Sequence, residues 1–264
     1  MFRDPRPLLA RHGLTAKKAF SQNFLVSRHV VEAMASFARG TVLEVGPGAG
    51  TLTAALAERA DQVIAIERDP AMVALLREEY DWDNVNIIEG DALCVDLPPF
   101  DACISSVPYA ISSPLLFRLL PRPFEELVLL LQKEVCHKLL MEGSPSRLSM
   151  MAYSYADTYP VRKVPPTAFY PPPAVDSMVV RLVPHRKVCV DTWYEKTVTA
   201  LFTHKRKTVR NALIDGREMF NKEKDEIRAI ADGAPYAQER ITTLSVFQLR
   251  EIADRLAEAW SEGG

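Results

Sequence analysis

Val42-Leu-Glu-Val-Gly-Pro-Gly-Ala-Gly-Thr-Leu-Thr53, with Ile66-Glu67 downstream, is the stretch on which the fold turns. Thr41 to Val45 is a short apolar run that reads as a buried strand. Gly46, Gly48 and Gly50 follow at alternate positions. Without a Cβ they allow positive φ and let a ligand approach the backbone closely. Thr51 to Arg59 has a helical composition, so the unit is strand, tight turn, helix. A second apolar run, Gln62 to Ile66, ends in Glu67, 21 positions after Gly46. That is near the spacing at which an acidic residue meets a ribose hydroxyl in nucleotide-binding βαβ units.

The glycine pattern is G-x-G-x-G, not G-x-G-x-x-G. The longer pattern serves a pyrophosphate on a helix N-terminus. A ligand with a ribose but no phosphate needs only close backbone approach. Glu44, at the strand end, suits a cation better than a phosphate. S-adenosylmethionine has a ribose, a charged ammonium and a sulfonium, and no phosphate. A dinucleotide, or a glycine-rich turn with no ligand, are the alternatives this stretch leaves open.

Outward from this unit, strands and helices alternate. Ser27 caps a helix with apolar positions Val30, Val31, Met34 and Phe37, closed by Gly40. Pro70 to Glu79 reads as a helix with proline at its start. Val85 to Ile88 and Ala102 to Ser105 read as strands, Ser113 to Leu120 as a helix, Leu127 to Leu131 as a strand and Lys133 to Met141 as a helix. This alternation implies a parallel sheet with covering helices. Leu148 to Ala156 and Val175 to Val183 are further strand candidates. Between them six prolines fall within Pro160–Pro173, a spacing that excludes a helix or central strand and suggests a rigid loop carrying Phe169 and Tyr170. Pro184 to Lys187 reads as a boundary. Beyond it the pattern is helical (Trp193–His204, Lys207–Leu213, Lys224–Ala231, Ser245–Trp260) with stripes suited to a small bundle. The expected domains are therefore 1–184, α/β with a basic N-terminal arm, and 185–264, helical.

The 264 residues are 48% apolar and 25% charged, as in soluble globular proteins. No apolar run approaches the ~20 residues that span a bilayer, and Met1-Phe-Arg-Asp-Pro5 lacks the apolar core of a secretory signal; a cytoplasmic protein without membrane contact is expected. Cys94, Cys103, Cys136 and Cys189 form no C-x-x-C pair, so buried free thiols are expected and no metal site. Net charge is −2, but its distribution is uneven. Residues 1–30 hold six basic residues against one acidic, and 185–210 seven against two. Two such segments could form a phosphate-tracking face, or be ordinary solvated surface.

Ligands of such sheets sit at the carboxyl ends of the strands, where Glu44, Glu67, Asp91 and Ser106 all fall. Glu67 is placed to take ribose hydroxyls and Asp91 an adenine amine. Ser106-Val-Pro-Tyr109 suits methylation of an exocyclic amine. Such an amine is a weak nucleophile, because its lone pair is delocalised into the ring. The Ser106 side chain and the carbonyl of Val107 or Pro108 could accept its two N–H groups and aim the lone pair. Tyr109 offers a stacking face, worth about 1–3 kcal/mol per base, and Phe169 could cover the other. Displacement at a methyl needs mainly positioning. The alternative is an S-x-P-Y turn packed for structure.

Gln22-Asn-Phe-Leu25, Leu43 to Thr53, Ala65-Ile-Glu-Arg-Asp69, Gly90-Asp-Ala-Leu93 and Val107 to Pro114 together resemble the ribosomal RNA adenine dimethyltransferases (KsgA/Dim type). So do Ala168 to Ser177, Phe202-Thr-His-Lys-Arg-Lys207 with Asn211, and Arg240 leading into Leu244-Ser245. The likeness runs in order from about residue 11 to the end. It implies a Rossmann-like class I S-adenosylmethionine-dependent methyltransferase domain with a small α-helical C-terminal domain. It implies dimethylation of N6 on two adjacent adenosines near the 3′ end of small-subunit ribosomal RNA, in ribosome biogenesis. Asn23, Leu25, Gly46, Gly48, Glu67, Asp91, Ala92 and Ser106 are the cofactor residues so implied. Ser106, Val107, Pro108, Tyr109 and Phe169 surround the target adenine. Lys17, Lys18, Lys205, Arg206, Lys207 and Arg210 are the expected RNA contacts of a monomeric enzyme. Val164-Pro-Pro-Thr-Ala-Phe169 leans towards archaeal members. The family usually has asparagine at Ser106, leucine at Val107, glycine at Ser21 and aspartate at Ser27. Serine is shorter and lacks the carbonyl acceptor. An RNA-binding assembly or transcription factor of the same fold, with weak or no activity, is therefore the alternative; methylation of large-subunit RNA is a third reading.

Overall fold

The computed structural model describes residues 2–185, 187–221 and 223–261, apart from the side chains of Lys18 and Ser261. Arg186 and the Lys18 side chain, both counted above as basic, lie outside the described residues. In chain order the regular elements begin with α1 (Pro5–Arg11), β1 (Phe24–Leu25), α2 (Arg28–Ala35), β2 (Thr41–Val45), α3 (Thr51–Ala57) and β3 (Gln62–Glu67). They continue with α4 (Pro70–Glu79), β4 (Val85–Glu89), β5 (Ala102–Ser106), α5 (Ser112–Leu119), β6 (Glu126–Gln132), α6 (Lys133–Leu139) and α7 (Arg147–Tyr155). The last are β7 (Ala156–Val164), β8 (Phe169–Tyr170), β9 (Ser177–Pro184), α8 (Thr192–Thr203), α9 (Val209–Asp215), α10 (Lys224–Asp232) and α11 (Val246–Ser261).

Seven strands form one sheet in the order β4-β3-β2-β5-β6-β9-β7. The five strands β2 to β6 run parallel, with Val42 opposite Val63 on one side and Ala102 on the other. β9 returns antiparallel to β6, Leu129 opposite Val180. The central parallel strands are largely apolar because helices cover both faces; Val42, Leu43, Val63, Ile104, Val128 and Leu130 are all buried. Strand order reverses between β2 and β5, so the crevice outside their carboxyl ends is the ligand position for such a sheet.

The chain divides into two compact units: Met1–Cys136 with Thr158–Pro184, and His137–Asp157 with His185–Gly264. The boundary read at Pro184 is thus incomplete. Residues 137–157 go with the helical unit, because α7 packs on α8, where the Ser154 hydroxyl meets the buried Tyr194 hydroxyl at 2.6 Å. The strand expected over Leu148–Ala156 is instead α7. Ser146 and Ser149 close a capping box at its start, and the run holds no Val, Ile or Thr to favour a strand. Part of the proline segment is not a loop but β7. Pro160 is tolerated there because β7 is the sheet edge and lacks an outer partner needing its N–H. Ser27 occupies the N-cap of α2 without a side-chain cap bond, and α2 ends at Ala35, before Gly40. The four cysteines are free, but Cys94 and Cys189 are exposed, since both lie in connecting loops outside the regular elements.

Candidate active site

β2 ends at Val45 and the chain turns through three positive-φ glycines, Gly46 (+73°), Gly48 (+56°) and Gly50 (+80°), into α3. Two of these glycines are fixed by neighbours as well as by φ. A Cβ at Gly46 would lie 3.1 Å from the Pro108 ring, and one at Gly48 3.1 Å from the Phe24 ring. The glycine turn and the Ser106–Tyr109 segment are therefore in direct contact, although some sixty residues separate them.

Glu67, at the end of β3, is 6% exposed. Its Oε2 accepts the Gly48 N–H at 3.0 Å and its Oε1 the Asp69 N–H at 2.8 Å. Each carboxylate oxygen can accept more than one hydrogen bond. Burial raises the Glu67 pKa, and the Asp69, Gly48 and Arg68 backbone N–H groups partly offset the rise. Glu44 is more extreme. It is 1% exposed, its Oε2 has no hydrogen-bond partner among the described residues, and burial pushes its pKa up to about 8. The Thr53 hydroxyl faces it and pulls the pKa partly back, without closing a hydrogen bond of good geometry. Burial thus favours the neutral form of Glu44 in the free protein. An orphaned buried carboxyl oxygen and a glycine cradle that a Cβ would fill both fit a cationic, ribose-bearing ligand.

Asp91 follows β4. Its Oδ1 accepts the Leu93 N–H at 2.9 Å, and its Oδ2 lies 3.3 Å from Arg68 Nη1. The Val107 N–H donates to the Leu130 carbonyl at 3.2 Å, anchoring the motif to β6. Tyr109 is held by its hydroxyl, 2.5 Å from Ser177 Oγ on β9; burial raises its pKa and the Ser177 bond lowers it in part. Phe169 is buried on β8, which pairs antiparallel with β1 so that Leu25 lies opposite Phe169.

One cavity is lined by Asn23, Leu25, Gly46, Gly48, Glu67, Asp91, Ala92, Ser106, Val107, Pro108, Tyr109 and Phe169. Every residue read from the sequence as cofactor- or adenine-facing thus meets in one crevice. The basic residues do not join it. Lys17 Nζ sits 2.8 Å from Asp69. In the helical unit, Arg206 and Lys207 line a second concavity with Thr208, Asn211 and Arg240. Lys207 pairs with Asp215, Arg210 with Asp232 at 2.5 Å, and Lys205 is exposed. Three residues of the site were missed from the sequence. Ser177 gives no local signal, lying 68 positions from Tyr109. Thr53 looks like any helix residue. Asp69 was legible, since Asp before Pro is a helix-start signature; it caps α4 through the Ala71 N–H.

The family model for ribosomal RNA adenine dimethylase matches residues 13–253. A protein from Thermococcus onnurineus described as "Probable ribosomal RNA small subunit methyltransferase A" is 42% identical over 255 residues, 93% of this chain and 94% of the relative. One of the same description from Pyrococcus furiosus is 38% identical over 258 residues, 94% of each chain. Among solved structures, a dimethyladenosine transferase from Plasmodium falciparum superposes with a TM-score of 0.74 at 25% identity, over 90% of this chain and 98% of that one. The 23S rRNA methyltransferase ErmE gives 0.65 at 28% identity, over 89% and 100%. The Rossmann-like sheet, the glycine crevice with its S-V-P-Y wall and these likenesses lead to one conclusion: the chain belongs to the ribosomal RNA adenine dimethylase family of methyltransferases.

Proposed function

We propose that this enzyme dimethylates N6 of two adjacent adenosines near the 3′ end of small-subunit ribosomal RNA, as a monomer in the cytoplasm during small-subunit assembly. The observation that carries the reading is the contact between Gly46 and Pro108. It sets the cofactor cradle directly against an amine-holding segment.

S-adenosylmethionine, when bound, supplies a methyl on a sulfonium that leaves as a neutral thioether. The chain's own residues do the rest by placement. Glu67 accepts ribose hydroxyls, and Asp91 accepts from the adenine amine beside Ala92. Asn23, Leu25, Gly46 and Gly48 shape the remaining wall. Glu44, whose burial favours the neutral form, gives its proton to water as a cation enters, since opposite charge favours the charged form. On the acceptor side, Ser106 Oγ and the Val107 or Pro108 carbonyl hold the N6 hydrogens and turn the lone pair towards the methyl. Tyr109 and Phe169 cover the base. The surplus amine proton passes to water. Lys205, Arg206, Lys207 and Arg210 are the proposed phosphate contacts of the helical unit, where salt-dependent affinity is expected.

Labelled S-adenosylmethionine incubated with undermethylated small subunits, followed by digestion to nucleosides, tests this. Dimethyladenosine is the expected product. Label appearing only in large-subunit RNA would assign the other target. RNA affinity without label would favour the assembly-factor alternative that Ser106 raises. Ser106→Asn, which adds a carbonyl acceptor, is expected to be as fast or faster; an inactive Ser106→Asn protein removes residue 106 from the amine-holding role.

A further inference from the structure

The Asp69 side chain is 0% exposed and carries more hydrogen bonds than a helix cap requires. Its Oδ1 accepts the Ala71 N–H at 3.1 Å and Lys17 Nζ at 2.8 Å, while Oδ2 accepts Gln22 Nε2 at 2.8 Å. Gln22 Oε1 accepts the Lys17 N–H at 2.8 Å, so the two residues close a ring on the carboxylate. The Asp69 N–H in turn donates to Glu67 Oε1, whose partner oxygen holds Gly48. An unbroken run of bonds thus leads from Lys17 to the glycine turn.

The other end of the same segment is fastened on the acceptor side. Phe24 pairs with Tyr170 and Leu25 with Phe169, and the Val26 N–H donates to the Ala168 carbonyl at 2.8 Å. The Phe24 ring lies against Gly48. Ser21, Gln22 and Asn23, in between, line the crevice. A desolvated carboxylate cannot lose its donors cheaply. Burial works to raise the Asp69 pKa, yet the Lys17, Gln22 and Ala71 bonds outweigh it and hold the group below its usual value. It is therefore ionised through the neutral range, and its bonds are charge-assisted.

We infer that Lys17, Gln22 and Asp69 form a clasp that holds residues 17–25 as the wall joining the cofactor and acceptor halves of the site. In this role Lys17 is a positioning residue, not a phosphate contact. The inference rests on the assignment of the crevice to S-adenosylmethionine.

Three variants test it: Lys17→Met, Gln22→Leu and Asp69→Asn. Asparagine caps a helix as well as aspartate does, so Asp69→Asn keeps α4 while presenting an amide N–H2 to a donor. Without ligand, amides 18–25 are expected to exchange faster in all three variants, while 41–45 and 62–67 keep their protection. Release of S-adenosylhomocysteine in stopped flow is expected to be faster on the order of tenfold in each, as for loss of one charge-assisted bond. Lys17→Met/Asp69→Asn should be no worse than Asp69→Asn alone, since the two share one interaction. Unchanged exchange and release in Lys17→Met, or additive losses in the pair, overturn the clasp. So does a Lys17→Met protein that loses only RNA affinity. If wild-type protein binds no S-adenosylhomocysteine, the cofactor assignment fails, and the exchange comparison still decides on the clasp.

Discussion

Glu44→Gln should stabilise the protein in alkali and weaken it as an enzyme. Glu44 is 1% exposed, and burial lifts its pKa from the usual 4.5 to about 8. In the unfolded chain the group ionises near pH 4.5, so between there and pH 8 the folded state binds more protons than the unfolded one. Stability therefore falls as pH rises through that window. At about 1.4 kcal/mol for each pH unit, the loss attributable to Glu44 reaches about 5 kcal/mol above pH 8. Glutamine has the same shape and no charge, and escapes the loss. Urea unfolding of both proteins, followed by far-ultraviolet circular dichroism, should show near-equal stability at pH 5. At pH 8.5 the variant should be ahead by up to about 5 kcal/mol. A gap between the two proteins that stays constant from pH 5 to pH 8.5 would refute the reasoning. In calorimetry the variant should bind S-adenosylmethionine more weakly, because the carboxylate that costs stability is the one we propose to meet the ligand's cation.

Gly46→Ala puts a Cβ at φ +73° and 3.1 Å from the Pro108 ring, so a loss of about 1–2 kcal/mol from the left-handed backbone alone is expected in thermal unfolding, with kcat/KM at least tenfold lower as residues 106–109 shift; wild-type turnover would show that the contact is not needed. Ser177→Ala removes the Tyr109 hydroxyl partner and should cost about 1 kcal/mol and lower kcat; Tyr109→Phe should do the same, and the double variant little more, whereas additive losses would separate the two groups. Ser21 sits at φ +50°, a backbone conformation glycine adopts more readily, which fits the glycine expected there from the family resemblance. Ser21→Gly should change the unfolding free energy by less than about 1 kcal/mol, relief of strain being partly cancelled by unfolded-state entropy; a loss well beyond that would mean the serine side chain is needed.

The strand–turn–helix unit was legible because its determinants are local. β2, β3 and α4 fall where apolar runs and Pro70 put them, and the crevice at their ends follows from strand direction alone. Local signals failed where two elements compete for one composition. Leu148–Ala156 has the apolar density of a strand, and only the serine capping box and the lack of β-branching mark it as α7. The placement of 137–157 was equally hidden, because it depends on which neighbour Tyr194 finds.

The amino-acid sequence alone determined the glycine turn, the acidic strand ends, the S-V-P-Y segment and the family they resemble, since each is a short pattern whose backbone conformation depends on near neighbours. Only the tertiary structure decided that Lys17 closes on Asp69, that Ser177 holds Tyr109 and that Glu44 is sealed in where burial favours its neutral form. Those outcomes depend on groups 52 and 68 positions apart being brought together, and on how much water the finished packing leaves around a carboxyl group.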